Sequence, residues 1–242
     1  MPVEPVASTG CTLSENASLL GRNTLRVAAQ ARLLAELHDA SALPALLAEP
    51  RVLGGPVLVL GEGSNVLFVG DYPGTVIAMA TRGVRVEDDG EMVHIAVAAG
   101  ERWDDFVRWT LGQGYAGLEN LILIPGTVGA APIQNIGAYG VEVAEFVDSI
   151  EAWDTREQRI AVLDRAACAF AYRDSVFKRE PGRYLVTAVR FALPRRRELK
   201  LDYAGIREEL AKMGVNQPAP FHVAEAVIAL RTRKLPDPAV IG

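Results

Sequence analysis

Apolar positions along the chain shift repeatedly between helical and strand spacing, and the alternation predicts two α+β units. Leucines and alanines through residues 30–47 recur at helical spacing, interrupted by Pro44, and lead through Gly54-Gly55-Pro56 into the apolar strand Leu58-Val59-Leu60. After Thr75-Val76-Ile77-Ala78-Met79, residues 84–86 and 92–98 read as hairpin strands turning at Asp88-Asp89-Gly90. Trp103, Phe106, Val107, Thr110 and Leu111 return to helical spacing, which makes Trp103 and Phe106 core residues, and Gly112 and Gly114 end that helix. Strands are predicted again at 149–153, 160–163 and 184–193, with a short helix over 164–170. A last helix over 221–232 stops at Leu235-Pro236-Asp237-Pro238.

Composition narrows the class without choosing a function. At 242 residues and 50% hydrophobic, the chain can bury one large core or two modest ones. Cys11 and Cys168 are too few and too distant for a disulfide framework, and the single histidines His38, His94 and His222 argue against a metal site. Met1-Pro2-Val3-Glu4-Pro5 has no basic segment followed by an apolar stretch, so no secretory signal is expected, and no segment approaches the length of a membrane span. A net charge of −5 argues against a nucleic-acid partner, and Arg195-Arg196-Arg197 reads as a solvated loop. Length and composition agree with a cytoplasmic enzyme, and a monomer is expected.

Two glycine loops carry the candidate chemistry. In Gly61-Glu62-Gly63-Ser64-Asn65 a strand empties into a turn whose glycines can aim successive N–H groups at one anion, with Ser64 and Asn65 as further donors. Val66-Leu67-Phe68 reads as more strand, which separates this loop from the dinucleotide fingerprint that opens a helix. Taken alone, the loop also fits an ordinary β-turn. The second stretch, Ile124-Pro125-Gly126-Thr127-Val128-Gly129-Ala130-Ala131-Pro132-Ile133-Gln134-Asn135-Ile136-Gly137-Ala138-Tyr139-Gly140, is too broken for a helix and too apolar for a linker. Its small side chains and the amides of Gln134 and Asn135 fit a backbone pressed against a planar cofactor, or a tight crossing between packed elements.

These two blocks, followed in order by Tyr172-Arg173-Asp174-Ser175-Val176-Phe177-Lys178 and Arg231-Thr232-Arg233-Lys234-Leu235-Pro236-Asp237-Pro238, resemble the UDP-N-acetylenolpyruvoylglucosamine reductase family of peptidoglycan precursor synthesis. The resemblance runs from about residue 20 to the end. It implies an α+β, two-subdomain FAD-binding fold of the PCMH type, as in the vanillyl-alcohol-oxidase-like superfamily. Residues 1–80 would form the first FAD-binding subdomain, 81–235 the second with substrate contacts, and 236–242 the start of a third domain. The implied FAD-binding residues are Gly61, Glu62, Gly63, Ser64, Asn65, Val66, Leu67, Pro125, Gly126, Thr127, Gly129, Ala130, Gln134, Asn135, Gly137, Ala138 and Gly140. NADPH is the implied reductant of the flavin.

Reduction of an enol ether bearing a carboxylate builds negative charge at the carboxylate end, which a fixed cation stabilises. By resemblance Arg173 is that catalytic group, holding the enolpyruvyl carboxylate in two-pronged fashion, with Asp174 expected to steady its guanidinium. Tyr172, Arg173, Tyr203, Arg231 and Lys234 are the implied contacts to the UDP-sugar enolpyruvyl ether, Lys234 on its diphosphate and Tyr203 on a closing loop. Without the resemblance, the cations of 231–234 also fit a helix C-terminus favouring positive charge. In a complete member the Leu-Pro-Asp-Pro segment leads into Asn-Ala-Gly-Ser-Phe-Phe-Lys-Asn-Pro, whose serine donates a proton. Here the chain stops at Gly242, so that serine, the third domain and a C-terminal glutamate are expected to be missing and activity impaired, with no proton donor assigned. An inactive FAD- or nucleotide-binding module is the alternative. A flavin oxidase of the same superfamily is less favoured, since neither glycine loop carries a histidine or cysteine for tethering.

Overall fold

Ten of the strands pair into two five-stranded sheets, one mixed and one antiparallel, in a computed structural model that describes residues 6–8, 10–88, 90, 92–195 and 197–235. In the first sheet β1 (Val6–Ser8), β2 (Cys11–Ser18) and β3 (Gln30–Leu37) are antiparallel, whereas β3 pairs in parallel with β5 (Tyr72–Met79), and β5 with the edge strand β4 (Val57–Leu60). Parallel pairing demands a crossover, and α1 (Leu43–Ala48) and α2 (Pro50–Leu53) provide it between β3 and β4. The second sheet begins with the hairpin β6 (Val84–Asp88) and β7 (Met92–Ala98). A small ribbon of β8 (Gly137–Ala138) and β9 (Val141–Glu142) intervenes before β10 (Val147–Asp154), β11 (Arg159–Asp164) and β12 (Tyr184–Pro194) complete the order β11-β10-β12-β7-β6.

Three sequence expectations are corrected. Residues 30–37 are strand, not helix: β3 lies inside the sheet between β2 and β5, with Ala31, Leu33, Leu34, Ala35 and Leu37 buried and Arg32 and Glu36 partly exposed. Leu34 interrupts the alternation set by Arg32 and Glu36, and with it the leucines fall three and four apart, which imitates helical spacing. Pro44 then falls in the first turn of α1, where its missing N–H costs nothing. Residues 164–170 form one capped turn rather than a helix: the Asp164 carboxylate accepts from Ala167 N at 2.7 Å, and Ala169 takes φ +46°. The helix appears later, as α4 (Val176–Arg179). Nor do residues 66–68 extend a strand; Phe68 plugs the smaller core while Leu67 and Val69 face solvent. Parts of the expected turn at 88–90 and of the stop at 236–238 lie outside the described residues.

One apolar core joins both sheets. Leu33, Leu37 and Ile77 of the first meet Ile95, Val97 and Phe191 of the second, together with Trp103 from α3 (Trp103–Gly112) and Val227 and Leu230 from α6 (Pro220–Lys234). Trp103 packs edge-on against Phe106, its ring also faces Phe191 at 6.1 Å, and its Nε1 donates to Leu121 O at 2.8 Å, which satisfies its polar atom within the core. Of the basic run expected as a solvated loop, Arg195 is exposed, Arg196 lies outside the described residues, and Arg197 is drawn onto the fold. Arg197 ion-pairs with Glu145 at 2.5 Å and lies over the Phe146 ring, and Arg195 lies over Tyr115. Both Cys11 and Cys168 are buried, and burial pushes the Cys168 thiol up to about 12, beyond nucleophilic use.

Helix α5 (Ile206–Lys212), unforeseen in the sequence, packs against α6 through Glu209. That carboxylate reaches Arg233 at 2.7 Å and Lys212 at 2.6 Å, and its pKa is drawn from 4.5 to about 2, chiefly by Arg233. Because the folded value is depressed, the pairing stabilises the fold fully above pH 4.5 and is lost as pH falls toward 2. In urea denaturation across pH, Glu209→Gln should therefore sit below the parent by a constant amount above about pH 5 and converge on it toward pH 2.

Candidate functional site

The two glycine loops meet. Leaving β4, the first loop presents the Glu62 carboxylate, whose Oε2 accepts from Gly126 N at 2.8 Å and whose Oε1 accepts from Arg102 Nε at 2.6 Å. A Cβ on Gly61 would lie 2.6 Å from Thr127 Oγ1, and one on Gly63 only 2.0 Å from Arg22 O, so backbone stands where any side chain would collide. The second loop is clamped from behind. Trp103 N donates to Gly126 O at 2.9 Å, Val128 N to Glu101 O at 2.8 Å, and Gly129 N to Ala99 O at 2.9 Å. Between the loops opens a cleft of about 410 Å³, with an apolar wall of Val59, Ile124, Ile136 and Trp103 and polar groups from Ser64, Asn65 and Gln134. A second cleft of about 500 Å³ shares the wall of Gly61, Glu62 and Thr127 and is flanked by Arg22, Arg82 and Arg102.

From Gly137 onward the second loop lines a different cleft, of about 600 Å³, with Tyr172, Arg173, Tyr203 and Arg231 around it. Arg173 takes φ +53°, a conformation costing a side-chain residue about 1–2 kcal/mol. Its guanidinium donates to Gly137 O at 2.6 Å, lies 3.7 Å from Glu142 and stacks over the Tyr172 ring. A Cβ on Gly137 would come within 2.8 Å of that guanidinium, so a side chain there would displace Arg173. The expected Asp174 partnership is not formed. Asp174 turns away to Arg179, whose guanidinium holds its carboxyl below the usual range, and Glu142 stands near Arg173 instead. Arg231 is half-buried, its Nε has no hydrogen-bond partner among the described residues, and burial lowers its pKa. Above it the rings of Tyr139 and Tyr203 meet edge to face at 5.0 Å.

The sequence-derived residues divide among these places. Gly61, Glu62, Gly63, Ser64, Asn65, Val66, Pro125, Gly126, Thr127, Ala130 and Gln134 line the interloop cleft. Gly137, Ala138 and Gly140 line the Arg173 cleft instead, beside Tyr172, Tyr203 and Arg231. Leu67 points to solvent, and Gly129 is pressed against Ala99, where an added Cβ would stand 2.5 Å from the alanine methyl. Asn135 is buried with its amide committed to Glu142, Ala171 O and Ala144 N. Lys234 is exposed at the end of α6, outside the residues lining the Arg173 cleft. Sequence reasoning missed residues 22–24, Arg82, Arg102 and Glu142. The first sit in a coil ordered by Asn23, whose amide binds Leu19 O and Val27 O. Only Arg102, just before the α3 pattern, carried a local signal.

A glycine-walled cleft with backbone donors and an apolar side suits a dinucleotide bearing a flat ring, and comparison with known proteins agrees. Residues 31–161 match the family described as FAD binding domain, so the chain is an FAD-binding-domain protein. It is 53% identical over 97% of its length to the UDP-N-acetylenolpyruvoylglucosamine reductase of Xanthomonas euvesicatoria pv. vesicatoria, and 52% over 96% to that of Xanthomonas oryzae pv. oryzae. The chain spans 67% of each of these relatives. It belongs to the UDP-N-acetylenolpyruvoylglucosamine reductase family. Its α+β, two-sheet architecture is the PCMH-type FAD-binding fold. The Thermus caldophilus reductase superposes with TM-score 0.65 at 24% identity, covering 93% of this chain and 71% of that one. A solvent-stable cholesterol oxidase does so at 0.53 and 16%, covering 80% and 40%.

Glu62 ties both loops, so Glu62→Ala should raise the Kd for FAD about tenfold, the equivalent of about 1.4 kcal/mol of lost anchoring. Glu62→Gln, which keeps an acceptor for Gly126 N, should fall between. Fluorescence titration of FAD against each variant reads the effect.

Proposed function

We propose that the chain is the FAD-holding part of an NADPH-dependent UDP-N-acetylmuramate dehydrogenase, reducing UDP-N-acetylglucosamine enolpyruvate to UDP-N-acetylmuramate. The reading makes residues 1–80 and 81–235 the two cofactor subdomains, acting as a monomer in the cytoplasm, where NADPH and nucleotide-linked precursors occur. What supports it is the continuity of the two clefts. A single loop runs from the residues lining the Glu62-tethered cleft to those lining the cleft with Arg173 and Arg231, which would bring an anion held at Arg173 up to a ring seated in the first cleft. The relatives at 51–53% identity bear the reductase's name.

Gly61, Gly63, Ser64 and Asn65 would hold the diphosphate of FAD, and Pro125, Gly126, Thr127, Ala130 and Gln134 would face its ring. The chemistry supplied there when FAD is bound is relay of a hydride from nicotinamide to the enolpyruvyl carbon. Arg173 grips the substrate carboxylate with two parallel N–H donors, and its charge, permanent near neutral pH, stabilises the enolate that forms as hydride arrives. Because its backbone is bent and its guanidinium is already anchored on Gly137 O, the group is set before substrate enters. Arg231, partly stripped of water and with its Nε free of a hydrogen-bond partner among the described residues, attracts the diphosphate, with Lys234 adding a flexible charge nearby. Tyr172 and Tyr203 wall the cleft, and Tyr203 closes over the nucleotide sugar to exclude water. No side chain is assigned as proton donor.

Chain incubated with excess FAD and desalted should absorb near about 370 and 450 nm and release free flavin on denaturation. The longer-wavelength band should bleach faster with NADPH than with NADH. Arg173→Lys should leave FAD binding unchanged and slow reoxidation by the enolpyruvyl nucleotide roughly 10²–10³-fold, since a point charge replaces the two-pronged grip. A colourless product would overturn the cofactor assignment, and unaltered reoxidation would overturn the role of Arg173.

A further inference from the structure

We propose that Asn120 is a positioning residue that clamps the two tyrosine-bearing segments at the mouth of the Arg173 cleft and so sets how far that cleft opens. The inference deepens the reading above and rests on it for the ligand, a nucleoside diphosphate sugar.

Asn120 lies in the 3-10 helix Glu119–Leu121 and is 1% exposed. Both hydrogens of its amide are used: Nδ2 donates to Tyr139 O at 3.0 Å and to Lys200 O at 3.0 Å. The acceptors belong to segments far apart in sequence. Tyr139 sits in the turn between β8 and β9, and Lys200 in the coil that leads to Tyr203. Turning the amide over would set its oxygen against two carbonyl oxygens, so the orientation is forced. The price is a buried Oδ1 with no partner in the described residues, which a generic core amide would not be expected to carry.

The coil depends on this bond. Among the described residues, the backbone hydrogen bond of 198–202 is the one from Asn120 to Lys200 O. Leu199 and Leu201 rest against the core, and beyond Tyr203 the chain is fixed again at Gly205, which takes φ +99° and abuts Leu230. Tyr203 therefore rides between two fixed points, half-exposed, its ring against that of Tyr139. One side chain holds both backbones that carry these rings, so loss of its donors should free the rings from each other without opening the sheets. Aspartate keeps the shape and loses both donors; serine keeps one donor at shorter reach.

Limited trypsin digestion of the FAD-loaded chain, followed at the bond after Lys200, tests this, with UDP-N-acetylglucosamine as the binding probe. In Asn120→Asp and Asn120→Ala that bond should be cut about tenfold faster while cleavage after Arg108 in α3 and Arg190 in β12 stays as in the parent, with Asn120→Ser between. Affinity for the probe should fall severalfold and affinity for FAD should not change. Should the aspartate variant fail to fold, the alanine and serine variants give the same comparison. Faster cutting at every site alike, or unchanged cutting after Lys200, would overturn the clamp. If cleavage changes as expected but the probe binds neither parent nor variant, the clamp stands and the nucleotide-sugar reading of the cleft falls.

Discussion

The structure depends on one carboxylate. Glu62 sits at the tip of a loop from the first sheet and accepts hydrogen bonds from Gly126, in a loop clamped to the second, and from Arg102, just ahead of α3. Without it the two glycine loops would be independent turns. With it they form the facing walls of one cleft, at a separation that leaves Gly61 touching Thr127. A carboxylate facing a cleft repels any anion entering it unless it is neutralised, and Arg102 does that at 2.6 Å. The tether therefore draws the loops together without adding net charge to the cleft.

A second constraint acts where the loop continues. Asn135, Tyr139 and Arg173 all adopt positive φ without being glycine, within or beside the Arg173 cleft. Each such residue is sustained by its neighbours: Asn135 by three hydrogen bonds from its amide, Tyr139 through its carbonyl on Asn120, Arg173 through Gly137 O. Strain held this way fixes one cation, Arg173, before any anion arrives. A cleft so arranged loses little free energy to reordering when it binds.

The sequence made the second sheet and α3 legible because their patterns are local: alternating strands, and buried residues three and four apart. The first sheet was misread at β3, since Leu34 breaks the strand's alternation and sets its leucines three and four apart. The blocks of the site were legible as motifs, but their assignment to places was not. Gly129, Asn135 and Leu67 lie inside the glycine blocks yet pack, brace or face solvent, and Gly137, Ala138 and Gly140 serve the other cleft. Glu142 stood near Arg173 where the adjacent Asp174 was expected, because a bent backbone at Arg173 parts neighbours in sequence. Asn23, Arg102 and Asn120 act through contacts across 4 to 80 positions, which no spacing pattern displays.

That both glycine loops grip one flavin is the claim on which the rest stands. Backbone hydrogen exchange across an FAD titration measures it directly: residues 61–65 and 124–136 should gain protection together, at the same FAD concentration, and in Glu62→Ala both should shift together to about tenfold higher FAD. Protection confined to one loop, or appearing at two different concentrations, would contradict it.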